Sequence, residues 1–176
     1  MKLAQKNSRF DFRKPSLIKG QLLIESIIAI SMITIGLLGI FSLLSQSLGL
    51  RRVVSERYSA TYLAAEAVEI VKNTIDTNYI KKLPWNQNLS TVGDYELDYD
   101  DQPPFSVYLG KLLKYDSGTG IYSYNFGDET QFKRKVTISY PDGNANRVRV
   151  NVLVEWITRG EGKFSVNVED HFYNWR

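Results

Sequence analysis

Between Ile27 and Leu44 the chain runs IIAISMITIGLLGIFSLL, 18 residues without a charge. As a helix at ~1.5 Å per residue this stretch is about 27 Å long. Leu22, Leu23 and Ile24 extend it, and the length matches a membrane span. A water-soluble core must therefore come from the rest of the chain, roughly 100 residues beyond a helical stem, which suits one small domain. Aromatic residues make up 12% of the sequence and include 11 Tyr, a composition that speaks against disorder.

The distribution of charge gives the span a direction. Residues 1–20 hold Lys2, Lys6, Arg9, Arg13, Lys14 and Lys19 against Asp11 alone, a net of +5 within a total of +3, which leaves −2 for residues 21–176. The basic pI belongs to this leader. By the positive-inside rule residues 1–20 stay in the cytoplasm and the chain after about residue 50 lies outside, a bias that Arg51, Arg52 and Arg57 weaken without reversing. The remainder is near neutrality and has no polybasic footprint, which ranks nucleic acid low among its partners. A cleaved secretory signal is the competing reading, with Ser45-Gln46-Ser47 as its small-x-small site. The apolar run exceeds the usual 7–15 residues of such a signal, and Glu25 at its start has no place in one. An ionisable side chain there costs about 1–3 kcal/mol unless the interface or a partner relieves it, so Glu25 invites a functional explanation.

Lys19-Gly20-Gln21-Leu22-Leu23-Ile24-Glu25-Ser26 has the arrangement of the type IV prepilin family: basic leader, glycine, short apolar stretch, Glu at the fifth position after the glycine. The apolar run beyond it, Tyr62–Ile80 and Val154–Arg176 also resemble bacterial minor pilins. The resemblance implies that Gly20 precedes the bond cut by a membrane prepilin peptidase and that the exposed amine of Gln21 is methylated. It implies that Glu25 pairs with the positive N-terminus of a neighbouring subunit, a pair favourable only when both members are present. Implied partners are other pilin subunits, the prepilin peptidase, an inner-membrane assembly platform and, before assembly, membrane lipid. The implied location is a single pass through the cytoplasmic membrane, then a cell-surface or periplasmic filament. Two departures point to a minor subunit: Gln21, where major pilins have an apolar or aromatic residue, and Ser42, where many have a kink-forming Pro. Gly36 and Gly39 offer another flexible point in the helix. Pilus, secretion pseudopilus and competence system all remain open.

The expected fold is α+β: leader 1–20, assembly helix 21–50, amphipathic stem 51–78 and a β-rich head over 79–176. No proline interrupts Gly20 to Pro84, which permits one helix from about residue 22 to 76. Val54, Tyr58, Thr61, Ala65, Val68, Val71 and Ile75 recur at spacings of three and four and form the expected docking stripe, with Arg57, Glu66, Glu69, Lys72 and Asp76 off it. Asn73-Thr74 and Thr77-Asn78 suggest fraying. In the C-terminal third, Phe132 to Tyr140, Val148 to Trp156 and Phe164 to Val168 alternate with period two and are joined by Pro141-Asp142-Gly143 and Gly160-Glu161-Gly162, the pattern of an antiparallel meander. Short strands are expected within Tyr95–Tyr99, and a hairpin or insert over Phe105–Tyr115 and Gly120–Phe126.

Chemistry is sparse. There is no cysteine, and His171 is the sole histidine, which excludes thiolate sites, histidine pairs and Cys-His catalysis. His171 reads as a surface residue beside the last strand. Asp94, Asp98, Asp100 and Asp101 form an acidic cluster, but their spacing is not that of an EF-hand, and a solvated loop is the expectation over calcium. The chain points to no cofactor and to no enzymatic activity. A structural assembly subunit is the leading function. The alternative is a filament-borne module for DNA uptake or adhesion, in which Tyr115, Tyr122, Tyr124 and Phe126 stack bases or sugars beside Lys111, Lys114 and Lys133.

Overall fold

The computed structural model describes residues 16–175 except Ser90, Asn144 and 159–161; the side chains of 16–19 and of Asp142 are also outside the description. Most of the leader therefore lies outside the described residues. The fold is α+β, one long N-terminal helix packed on a C-terminal antiparallel sheet. The helix, α1, spans Ser16–Ile80. The strands are β1 (Gly93–Glu96), β2 (Ser106–Val107), β3 (Leu112–Asp116), β4 (Ile121–Ser123), β5 (Asp128–Ser139), β6 (Arg147–Thr158) and β7 (Gly162–Tyr173). The chain divides into two compact units at Leu50, and α1 contributes to both.

The first unit is helix alone among the described residues. It begins at Ser16, six residues before the expected start, so the Gly20–Gln21 bond is helical. Within the apolar run, Ser26, Ser31 and Thr34 each donate their hydroxyl to the carbonyl four residues back, at 2.7 Å. That bond satisfies a polar group that apolar surroundings would leave stranded.

In the second unit the period-two segments form β5, β6 and β7, a meander with unbroken registers between β5 and β6 and between β6 and β7. On the other side β5 pairs β1 with its C-terminal half and β3 with its N-terminal half, and β2 and β4 lie beyond them. Val148, Val150, Val152, Val154 and Trp156 all face inward and are buried. The expected hairpin is β3–β4, and the short strand foreseen within Tyr95–Tyr99 lies two residues earlier, as β1.

The helix docks on a different face from the one expected. Its buried residues are Ala60, Leu63, Ala64, Ala67, Ile70 and Val71, then Thr74, Ile75 and Asn78. Val71 and Ile75 of the expected stripe are among them, but Val54, Tyr58, Thr61 and Ala65 are exposed. Three alanines, each fully buried, let the helix approach the sheet closely.

The end of α1 is also later than expected. Thr74 and Asn78 are buried, and their polar groups are bonded: Thr74 Oγ1 donates to the Ile70 carbonyl, and Asn78 Nδ2 to the carbonyls of Trp85 (3.1 Å) and Gln87 (2.8 Å). The helix closes with Lys82 N–H bonded to Tyr79 O and Leu83 N–H to Asn78 O, the Schellman pattern, with Lys82 at φ +57° where glycine is usual.

Gly127, in the turn into β5, has φ +98°, and a Cβ there would lie 2.6 Å from the Tyr115 carbonyl carbon. The obstacle is backbone and cannot swing aside. Gly127→Ala is expected to lower the stability of the head by about 1–3 kcal/mol. Gly120→Ala, at φ +75° with open space around it, is the comparison and should cost less. Denaturant unfolding of the two variants in detergent, read by tryptophan fluorescence, measures the difference.

Candidate functional site

The residues singled out for processing and assembly all lie on α1 before Leu50. Gly20, Gly36 and Gly39 have no atom within 4 Å of the position a Cβ would occupy, and the helix continues through all three without a break. From Leu22 to Leu44 the large apolar side chains are exposed; Leu22, Ile27 and Phe41 are each more than half accessible. The stretch has a mean hydropathy of 2.5 over its most apolar window and none of that window is buried by the protein. It is one helix long and apolar enough to cross a membrane. Gln21 and Glu25, four residues apart, share one helix face. Among the described residues Glu25 makes no hydrogen bond or ion pair, and its surroundings are apolar and open.

The head contains several polar groups that the sequence marks only as charges. Arg134 is fully buried in the middle of β5. Its Nη1 donates to the Leu63 carbonyl at 2.9 Å and lies 3.3 Å from Glu66 Oε2, and its Nη2 donates to the Leu97 carbonyl. One side chain thus ties the helix, the central strand and the loop after β1. Glu66, expected on the solvent side, is half-buried as its counter-charge. Glu56 makes a second bridge: its Oε2 accepts from Trp156 Nε1 at 3.1 Å and from the Thr158 hydroxyl. Period-two alternation places Arg134 inward, but only the fold supplies its partners, the carbonyls of Leu63 and Leu97.

The acidic cluster is in part the solvated loop expected, with Asp94 and Asp100 exposed, and in part structural. Asp98 is buried; its carboxylate accepts from the backbone N–H of Tyr99 and Tyr124 and from Asn125 Nδ2. Asp101 Oδ2 accepts from the Asp98 N–H, and Asp94 accepts from Thr137 Oγ1 at 2.6 Å. Asp100 is exposed. Glu96, also buried, accepts from the N–H of Leu109 and Lys111. Among the described residues no three acidic or histidine side chains are grouped to hold a metal.

The aromatic residues proposed to stack on a ligand contact neighbouring rings, with Tyr115 and Phe126 still exposed and Tyr122 and Tyr124 partly buried. Tyr115 and Tyr122 lie 4.8 Å apart, Tyr122 meets Phe132 edge-on, and Phe126 meets Tyr99. Tyr124 donates its hydroxyl to the Arg134 carbonyl, and burial pushes its phenol up to about 12, against the opposing pull of the guanidinium. In the strand registers Lys114 stands opposite Glu129 and Lys133 opposite Glu155. His171 lies half-exposed on β7, 3.1 Å from Glu169.

Comparisons with protein-family models, with curated proteins and with solved structures each return no match.

Proposed function

We propose that the chain is a structural, non-catalytic subunit of a type IV pilus-like filament, of the minor-pilin or pseudopilin kind. Before assembly, residues 21–50 hold it in the cytoplasmic membrane, with the leader inside, the head outside and lipid around the apolar helix. A prepilin peptidase cuts after Gly20 and methylates the new amine of Gln21. An inner-membrane assembly platform then passes the subunit to other pilins in a cell-surface or periplasmic filament.

The observation that carries this reading is Glu25, a carboxylate without a partner among the described residues, at the start of an exposed apolar helix. A lone charge at that depth is costly, and a cation from a neighbouring subunit removes the cost. Support also comes from the open backbone at Gly20, which leaves the scissile bond accessible once the first turn of α1 unwinds. The head contributes a folded body on the same helix.

Intact-mass and N-terminal peptide analysis of the protein from its native membrane is the test. The expected mature chain begins at a methylated Gln21. A chain beginning near Leu48, or one that retains residues 1–20, overturns the proposal.

A further inference from the structure

Every cation between Gly20 and Lys72 is an arginine, and all of them, Arg51, Arg52 and Arg57, follow the apolar run on the side away from the leader. Basic residues there oppose the charge bias that orients a span, so their presence carries a cost. They are exposed, and among the described residues none of them makes a hydrogen bond or an ion pair. The nearest carboxylates on the helix are committed elsewhere. Glu56 accepts from Trp156 and Thr158, and Glu66 faces Arg134.

Their place in the chain matches the edge of a bilayer. From Ser26 to Leu50 the helix carries no charge over about 37 Å, somewhat more than the ~30 Å of a hydrocarbon core. With a modest tilt Arg51 and Arg52 emerge where the headgroups begin, and side chains on a helix lean back toward its N-terminus. Arg57 lies about 9 Å beyond Arg51, within reach of that layer through its flexible stem. Arg51, Val54, Tyr58 and Tyr62, spaced by three and four, form one exposed face, opposite the buried Ala60, Leu63, Ala64 and Ala67. Tyr58 and Tyr62 are 65% and 72% accessible, amphipathic rings of the kind enriched where a span meets water. The bonds of Glu56 place one end of β6 and β7 beside this part of α1, and there the exposed Ile157 stands opposite Lys163.

We propose that Arg51, Arg52 and Arg57, with Tyr58 and Tyr62, form a site for the phosphates of anionic phospholipid in the leaflet on the head's side. A guanidinium holds a phosphate through two parallel N–H donors, a geometry that the ammonium of lysine lacks. The three groups have no carboxylate of their own to meet, so they present a net positive charge. A zwitterionic headgroup carries its own cation and does not neutralise that charge; an anionic one does. Each basic residue near an anionic surface adds an attraction equivalent to about a fivefold preference. The rings of Tyr58 and Tyr62, on the same face as Arg51, fix the depth at which α1 leaves the bilayer. The site rests on the reading of residues 21–50 as a membrane span, and not on cleavage after Gly20 or on filament assembly.

The absence of cysteine allows a single reporter. The full chain with a fluorophore on Leu50→Cys, an exposed position, is reconstituted in phosphatidylcholine bilayers containing phosphatidylglycerol. Quenching by nitroxide-labelled lipid of each headgroup then reads the lipid composition around residue 50. Phosphatidylglycerol is expected to be enriched there about tenfold over its share of the bilayer. Lys19 lies about 45 Å away along α1, so the leader's cations do not contribute to this signal. Arg51→Gln with Arg52→Gln should lower the enrichment about fivefold, and adding Arg57→Gln should bring it to parity. Glutamine suits a helix about as well as arginine, and these side chains hold nothing in the head, so folding is unaffected. Equal quenching by the two lipids in the parent chain overturns the proposal and leaves the arginines for the carboxylates of a protein partner. An enrichment that survives in the triple variant overturns it as well. A reporter on Leu38→Cys that neither lipid quenches would remove the span itself, and the site with it.

Discussion

Arg134→Ala is expected to destabilise the head by about 3–5 kcal/mol, the largest loss from any single side chain outside the apolar core. The guanidinium is wholly buried and its two Nη groups serve the Leu63 and Leu97 carbonyls and the Glu66 carboxylate at once. Truncation strands all three and leaves a cavity between helix and sheet. Glu66 remains one-third exposed, so water reaches it and the loss falls toward the lower end of that range. Arg134→Met combined with Glu66→Leu removes both charges while keeping apolar volume, and should recover most of the loss. Denaturant unfolding of the two single variants and the double in detergent, read by tryptophan fluorescence, gives the coupling. A double variant no more stable than Arg134→Ala would mean that the packed volume, not the stranded charge, sets the cost.

Glu25→Ala is expected to leave cleavage after Gly20 intact while lowering incorporation into filaments about a hundredfold, the factor that a penalty of about 3 kcal/mol for a broken buried pair corresponds to. Alanine is a better helix former than glutamate and costs nothing in lipid, so neither α1 nor membrane insertion suffers. What disappears is the anion for the neighbour's N-terminal amine, which is then left desolvated without a counter-charge. Glu25→Gln keeps the shape and should assemble as poorly. The measurement is the ratio of sheared-filament to membrane-retained protein, with the mature mass verified for each variant. Equal incorporation of Glu25→Gln and the parent chain would end the assembly role assigned to the carboxylate.

The strands of the meander were legible because each has one buried face, and a half-buried strand must alternate. The docking face of the helix was not. Around Tyr58 to Val71 apolar residues occupy two faces: Ala60, Leu63, Ala64 and Ala67 on one, Tyr58, Tyr62, Ala65 and Val68 toward the other. Periodicity reports that a stripe exists without saying which of two the sheet will cover. The larger residues suggested the wrong one, and close packing against β5 and β6 selected the alanines. The end of α1 was obscured for a related reason, since Lys82 occupies a left-handed position that glycine would have announced. Among the candidate site residues, Gly20, Gln21, Glu25, Gly36 and Gly39 are local features of one helix, and a linear pattern can expose them. The work of Asp98, Glu96 and Glu56 is not local. Asp98 braces a turn 26 residues away and Glu56 meets Trp156 across 100 residues, distances over which spacing has no meaning.

Glu56 and Glu66 sit ten residues apart on the same helix, about 15 Å along its axis, and each is bonded to the sheet. Two such points do what one cannot. A single bridge would let the lower half of α1 swivel about it; two prevent the helix from rolling in its seat or creeping lengthwise by even one residue unless both let go. A tug on this half of α1 along its length would therefore be met in shear, shared between a tryptophan-hydroxyl clasp near the far end of β6 and a guanidinium in the centre of β5. The head and the helix from Arg51 onward would turn and travel as a single stiff piece.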